Sequence, residues 1–165
     1  MTVGIVFYSR TGNTRKAAEL LADKIKAKGR SVELVEIEAV RRPGFLTAGH
    51  ASQQQKELPI KNEPADLGKY EFVVFGVPVW AGLPSPMLKS FLAKVPGSPR
   101  VPAACFLCGS GKAETHDRAV ACIKDCVAGK GFLLHEPVLE IQMGRKGIIG
   151  QSPSIDDFLA SVLTK

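Results

Sequence analysis

Several residue types are scarce in this chain, and each scarcity closes off a class of chemistry. Only four cysteines occur in 165 residues, Cys105, Cys108, Cys122 and Cys126. A chain of this length forms a core without staples, so no disulfide scaffold is implied and a reducing compartment is expected. Histidine is limited to His50, His116 and His135. Zinc held by Cys122 and Cys126 would need two further ligands nearby, so the pair reads as core-facing and no metal site is expected. No apolar run approaches the roughly 18 residues of a membrane span. The N-terminal run, residues 3–8, is shorter than a signal-peptide core and has no basic residue before it. A cytoplasmic protein with no membrane span is expected. Composition is otherwise that of an ordinary globular chain.

Acidic residues are outnumbered, 16 against 22 Lys and Arg, for a net charge of +6. The cations are spread along the chain, with only Arg41–Arg42 and Gly144-Arg145-Lys146 as dense spots, and no aromatics are interleaved with them. The expected surface is solvated or biased toward anionic small molecules, with no nucleic-acid footprint.

Familiar phosphate and nucleophile motifs are missing as well. Gly111-Lys112 is followed by Ala113, and Phe106 stands where a P-loop needs its first glycine. A dinucleotide fingerprint starting at Gly109 and Gly111 fails at Glu114. No cysteine has an arginine six residues on, as a cysteine phosphatase would require, and the first apolar run ends in Tyr8 and Ser9 rather than the carboxylates of a phospho-accepting receiver.

What is present is a rhythm. Apolar runs rich in strand formers recur at 3–8, 32–37, 72–77, 103–108 and 132–141. Several are continuous rather than alternating, the pattern of strands covered on both faces. Helical periodicity lies between them, at 14–28, 86–92, 116–128 and 155–163. In the first, Ala17, Ala18, Leu21 and Ile25 form one stripe, and Gly29 stands at the C-cap position. The alternation predicts a single doubly wound α/β domain over 1–165 with five parallel strands and right-handed crossovers. Residues 38–69 interrupt the rhythm. They predict a long connection with a short helix near 45–55, either a cover over a ligand or a surface excursion.

Doubly wound sheets bind ligands beyond the carboxyl ends of their strands, which directs attention to three loops. The first, Ser9-Arg10-Thr11-Gly12-Asn13-Thr14, joins a strand to a helix N-terminus, where free amides and the dipole favour an anion. It reads either as a phosphate nest or as a tight turn capped by Thr14. The second carries Trp80, the only tryptophan, among turn formers from Gly76 to Pro86. Trp80 is either a stacking platform for a planar ligand or is folded back onto Met87 and Leu88. The third, Cys108-Gly109-Ser110-Gly111, offers amides and little side-chain bulk, with Cys108 read as a small buried hydrophobe.

The segment from Ile5 to Leu21, with Phe7, Ser9, Gly12, Thr14 and Ala18 at their places, together with the loops after 75 and 108, resembles the flavodoxin family, short-chain type. The resemblance spans nearly the whole chain and is least specific over 38–69. It implies a flavodoxin-like three-layer α/β/α sandwich with strand order 2-1-3-4-5 and non-covalently bound FMN. It further implies that Ser9, Arg10, Thr11, Gly12, Asn13 and Thr14 hold the phosphate. Trp80 would pack on the isoalloxazine, with Pro78, Val79, Ala81 and Gly82 at its edge and Cys108, Gly109, Ser110 and Gly111 on the other side. No catalytic acid or base is implied, because the flavin carries the redox chemistry.

Two departures stand out: the basic surface, unlike the acidic one typical of electron-shuttling relatives, and the charge of Arg10, which either neutralises the phosphate or faces solvent. The leading expectation is an electron-transfer flavodoxin working with a redox partner protein, since no second nucleotide motif is visible. The alternative is a reductase of quinones or other acceptors that uses NAD(P)H. A non-redox phosphate-binding module is the reading from another class. Monomer and homodimer are both compatible with the sequence.

Overall fold

The computed structural model describes residues 2–112 and 116–163. In chain order the elements are β1 (Thr2–Phe7), α1 (Asn13–Ala27), β2 (Ser31–Glu36), α2 (Phe45–Gln54), a 3-10 turn at Leu67–Lys69, β3 (Phe72–Trp80) and β4 (Leu83–Pro84). There follow α3 (Met87–Lys94), β5 (Pro102–Gly109), α4 (Asp117–Gly129), β6 (Leu133–Leu134), β7 (Leu139–Gly144), β8 (Gly147–Ser152) and α5 (Ile155–Leu163). Each of the helices expected from periodicity is present.

The sheet runs β2-β1-β3-β5-β7-β8. Its first five strands are mutually parallel, which is the flavodoxin-like order expected. Two details of the sheet were not anticipated. The apolar run at 132–141 is divided at Pro137, which has no amide to give a ladder: β6 and β7 both pair with β5, and between them His135 donates its amide to the Ala103 carbonyl at 2.7 Å. A sixth strand, β8, returns antiparallel along β7 through a tight turn at Arg145 and Lys146. Its glycine-flanked sequence has too little apolar content to signal a strand on its own.

Packing follows from the pleat. Along β1, Val3, Ile5 and Phe7 face α1 and α5, while Val6 and Tyr8 face the side of α3 and α4. The α1 stripe is fully buried, so Leu21 and Ile25 each contribute about 2 kcal/mol relative to exposure. Gly29, at φ 80, closes α1 by donating its amide to the Lys26 carbonyl at 2.9 Å. Inside β3, Gly76 makes room for a neighbour: a Cβ there would overlap the Phe106 ring of β5.

Register levels the strand ends. Phe7 pairs with Gly76, and Pro78 pairs with Cys108. The segments after β1, around Trp80 and after Cys108 therefore meet at one edge, where β1 leads to β2 on one side and β3 on the other. That is the topological switch point of such a sheet.

Candidate functional site

At this edge lies a cavity of about 570 Å³, within the range of small-molecule sites. The first wall is the turn into α1. Gly12 adopts φ 98 and ψ −8, a left-handed conformation that permits the chain to enter the helix without a side-chain penalty. Ser9 does not line the cavity. Its Oγ accepts the amides of Gly12 at 3.0 Å and Arg15 at 3.2 Å, which fixes the curl of the loop. The amides of Asn13 and Thr14 have no partner among the described residues, and the first turn of α1 contains no acid. Arg10, Thr11, Asn13 and Thr14 face the cavity. Arg10 is held by its Nε, which donates to the Pro43 carbonyl at 2.9 Å.

The second wall is the end of β3. Pro78, Val79, Trp80 and Ala81 line it, whereas Gly82 does not. Trp80 pairs with Leu83 across a two-residue turn in which Ala81 (φ 51) and Gly82 (φ 82) are both left-handed, the geometry that matches strand twist. For Ala81 that conformation costs about 1 kcal/mol. Its carbonyl accepts a bond from Gln53 Nε2. Trp80 is half-buried: one edge meets Tyr8, with centroids 5.7 Å apart at 86°, and the residue also borders the cavity.

Cys108, Gly109 and Ser110 form the third wall, with Gly111 outside the lining. The remainder of that loop, residues 113–115, lies outside the described residues. Burial pushes the Cys108 thiol up to about 12, against a smaller opposing effect of its hydrogen bond with the Thr14 side chain. It stays a neutral thiol and joins the third wall to the first. Behind Gly109 stands His116, whose ring a Cβ on Gly109 would approach to 3.4 Å. Glu140 Oε1 positions this histidine, accepting its amide at 3.2 Å and lying 3.3 Å from Nδ1.

A fourth wall was not assigned to residues in the sequence. Phe45, Leu46, Ala48, Gly49 and His50 of α2 border the cavity, and Met143 of β7 completes it. The expectation of a helix near 45–55 located α2, but nothing local showed which residues would turn inward. The helix is tied to the second wall by side chains: the buried Ser52 Oγ lies 3.1 Å from both the Leu83 and Pro84 carbonyls, and Gln55 Nε2 donates to Pro84 at 3.0 Å. The lining includes Arg10 and His50 but no carboxylate. Free helix amides, an aromatic and aliphatic slot and a non-acidic lining fit a phosphate carried by a planar ring system.

Comparison with known proteins decides the family. Residues 1–137 match the model of the family described as NADPH-dependent FMN reductase. The chain belongs to that family. FMN is accordingly its cofactor, and the resemblance to flavodoxins is one of fold. Among solved structures, a candidate flavoprotein from Bacteroides eggerthii aligns with a TM-score of 0.72 at 17% identity, covering 99% of each chain. A flavoprotein in complex with FMN from Lactobacillus acidophilus aligns at 0.60 with 23% identity, over 81% of this chain and 89% of that one. Oxidised flavodoxin 2 from Bacillus cereus aligns at 0.64 with 18% identity, over 99% and 98%. No curated protein matches the chain. Among the described residues no helix is long and apolar enough to cross a membrane.

Proposed function

We propose that this family member is an NAD(P)H-dependent reductase that passes electrons through bound FMN to a small acceptor. FMN, when bound, supplies the redox chemistry, taking electrons from the reduced nicotinamide and passing them on. The protein's part is to bind, orient and shield. The Asn13 and Thr14 amides with Thr11 hold the phosphate, and Ser9 and Gly12 shape the loop that presents them. Trp80, with Pro78, Val79, Ala81 and the adjoining Gly82, flanks one side of the ring system. Cys108, Gly109, Ser110 and Gly111 flank the other.

The observation that favours a reductase over the carrier expected from sequence is the fourth wall. The α2 helix overhangs the cavity with Phe45 and Leu46, 82% and 84% exposed, so the mouth is an apolar recess suited to a small molecule. The whole-length fold likeness to flavodoxins keeps the carrier as the second reading.

Anaerobic titration of the purified yellow protein with NADPH, followed by absorbance, tests the proposal. Rapid bleaching of the flavin is expected. Bleaching only by dithionite or by an added reductase would establish the carrier instead. A colourless protein that takes up no FMN would leave only the non-redox reading.

A further inference from the structure

Two-electron reduction of an organic acceptor such as a quinone takes more than electrons. The acceptor gains a hydride equivalent, and a proton must follow or the product leaves as an anion. The walls described above bind and orient, so a proton donor has to come from among the side chains that line them. Most of these are unsuited. Thr11, Asn13 and Thr14 are not acids near neutral pH, and an arginine such as Arg10 keeps its charge throughout. Burial holds the Cys108 thiol at about 12, and its hydrogen bond is made with Thr14. No carboxylate lines the cavity among the described residues. His50 remains, and histidine is the side chain that ordinarily changes charge between about pH 5 and 8.

The position of His50 suits that task. It is exposed on α2, one residue after Gly49, whose added Cβ would lie 3.9 Å from the Ala81 Cβ of the second wall. Leu46 precedes it by four residues, so an apolar and a proton-bearing side chain stand side by side at the mouth. The next turn of the helix is braced, because Ser52, Gln53 and Gln55 all bond to carbonyls of residues 81–84. Few charged or titratable groups surround the histidine. Helix α2 carries no other, and neither does the turn 81–84 on which it packs. Arg10 borders the cavity from the first wall and Cys108 from the third. Past the C-terminal end of α2, Lys89 of α3 donates to the Gln55 carbonyl at 3.2 Å and Cys122 of α4 to its Oε1 at 3.4 Å. Among the described residues His50 enters no ion pair, which leaves its ring to meet an acceptor on one side and water on the other.

We propose that His50 is the general acid for the acceptor, giving a proton to a small molecule of the quinone class as that molecule is reduced. This rests on the reductase reading. Two electrons and one hydrogen, drawn from the reduced nicotinamide by way of bound FMN, reach the acceptor as hydride. The N–H bond of the His50 imidazolium breaks as an O–H bond forms on the acceptor, which leaves as the neutral hydroquinone. The neutral imidazole then takes a new proton from the solvent to which it is exposed.

The test separates this step from the nicotinamide. FMN-loaded protein, reduced with stoichiometric dithionite, is mixed anaerobically in a stopped-flow instrument with 2-methyl-1,4-naphthoquinone, or with ferricyanide, which takes an electron and no proton. The naphthoquinone rate is expected to fall as pH rises through neutrality, and the ferricyanide rate to lack that limb. His50→Gln should lower the naphthoquinone rate relative to the ferricyanide rate by about 100-fold and abolish the limb. Added imidazole should restore part of the naphthoquinone rate in His50→Ala. In the reduced protein the His50 ring resonance, identified by its absence from His50→Gln, should titrate with the same midpoint as the rate. An unchanged ratio in His50→Gln, an equal loss with both acceptors, or a ring that titrates apart from the rate would overturn the proposal. If NADPH fails to bleach the flavin of the wild type, the reductase reading fails, and the dithionite-reduced protein still decides whether His50 supplies the proton.

Discussion

The turn at 9–14 and the helix α2 border the same cavity but are held in different ways. The turn lies between β1 and α1, whose apolar faces are fully buried, and its curl is set by one hydroxyl and one left-handed glycine. Short-range backbone rules are sufficient to specify it. The helix has small buried residues, Ala48 and Ala51, and is anchored through Ser52, Gln53 and Gln55 to carbonyls of the β3–β4 turn. Its position depends on polar contacts with a remote segment. The contrast indicates a fixed turn, the phosphate end in the proposed reading, and a mouth that can be tuned without disturbing it.

Gly12→Val is expected to break the first side of this contrast most severely. Nothing lies within 4 Å of a Cβ at this position, so space is not limiting and only the positive φ is affected. A β-branched residue there costs about 1–3 kcal/mol, enough to weaken FMN by on the order of 10- to 100-fold. Flavin fluorescence quenching measures the loss, and circular dichroism should show the fold retained. Unchanged affinity would mean that the turn does not hold the phosphate. Ser9→Ala should have the next largest effect, about a tenfold loss of FMN affinity, because two amides lose their common acceptor.

On the other side, Ser52→Ala should lower stability by about 1–2 kcal/mol and Tm by a few degrees. FMN affinity should change by less than about threefold. A loss of affinity as large as that of Ser9→Ala would show that α2 fixes the phosphate end as well, and would remove the distinction. The smallest effect concerns pH. Burial raises Cys108 to about 12 and Cys126 to about 11 from an ordinary 9.0, and raises Cys105 further. The folded protein then keeps protons that the unfolded chain releases above pH 9, so these thiols contribute no pH dependence below that value. Stability should decline as pH rises from 9 toward 12. Thermal melts across that range check the sign. Increasing stability would mean that Cys108 is ionised, and the first and third walls would not be joined by a neutral thiol.

What could be read from the sequence follows the same division. Helix stripes, the Gly29 cap and the five parallel strands depend on local periodicity, and they stand in the structure as expected. The turn at 9–14 could be placed at the cavity for the same reason. The roles within it could not: Ser9 stands outside the cavity lining, and its hydroxyl accepts two amides of its own chain. The fourth wall depended on contacts between residues 45–55 and 81–84, which no local pattern encodes. The strand β8 lacked the apolar content to declare itself, and Pro137 divided a run that looked continuous.

The overlap that a side chain on Gly76 would make with Phe106 has a consequence for how this sheet can diverge. Bulk at the two positions is exchangeable rather than independent, so relatives that carry alanine or a larger residue at 76 should carry a smaller one at 106. The lone substitution Gly76→Ala should be poorly tolerated, and Phe106→Leu should partly rescue it. Because Gly76 lies four residues before Trp80 on the same strand, drift in this pair would carry over to the angle of the tryptophan at the cavity wall.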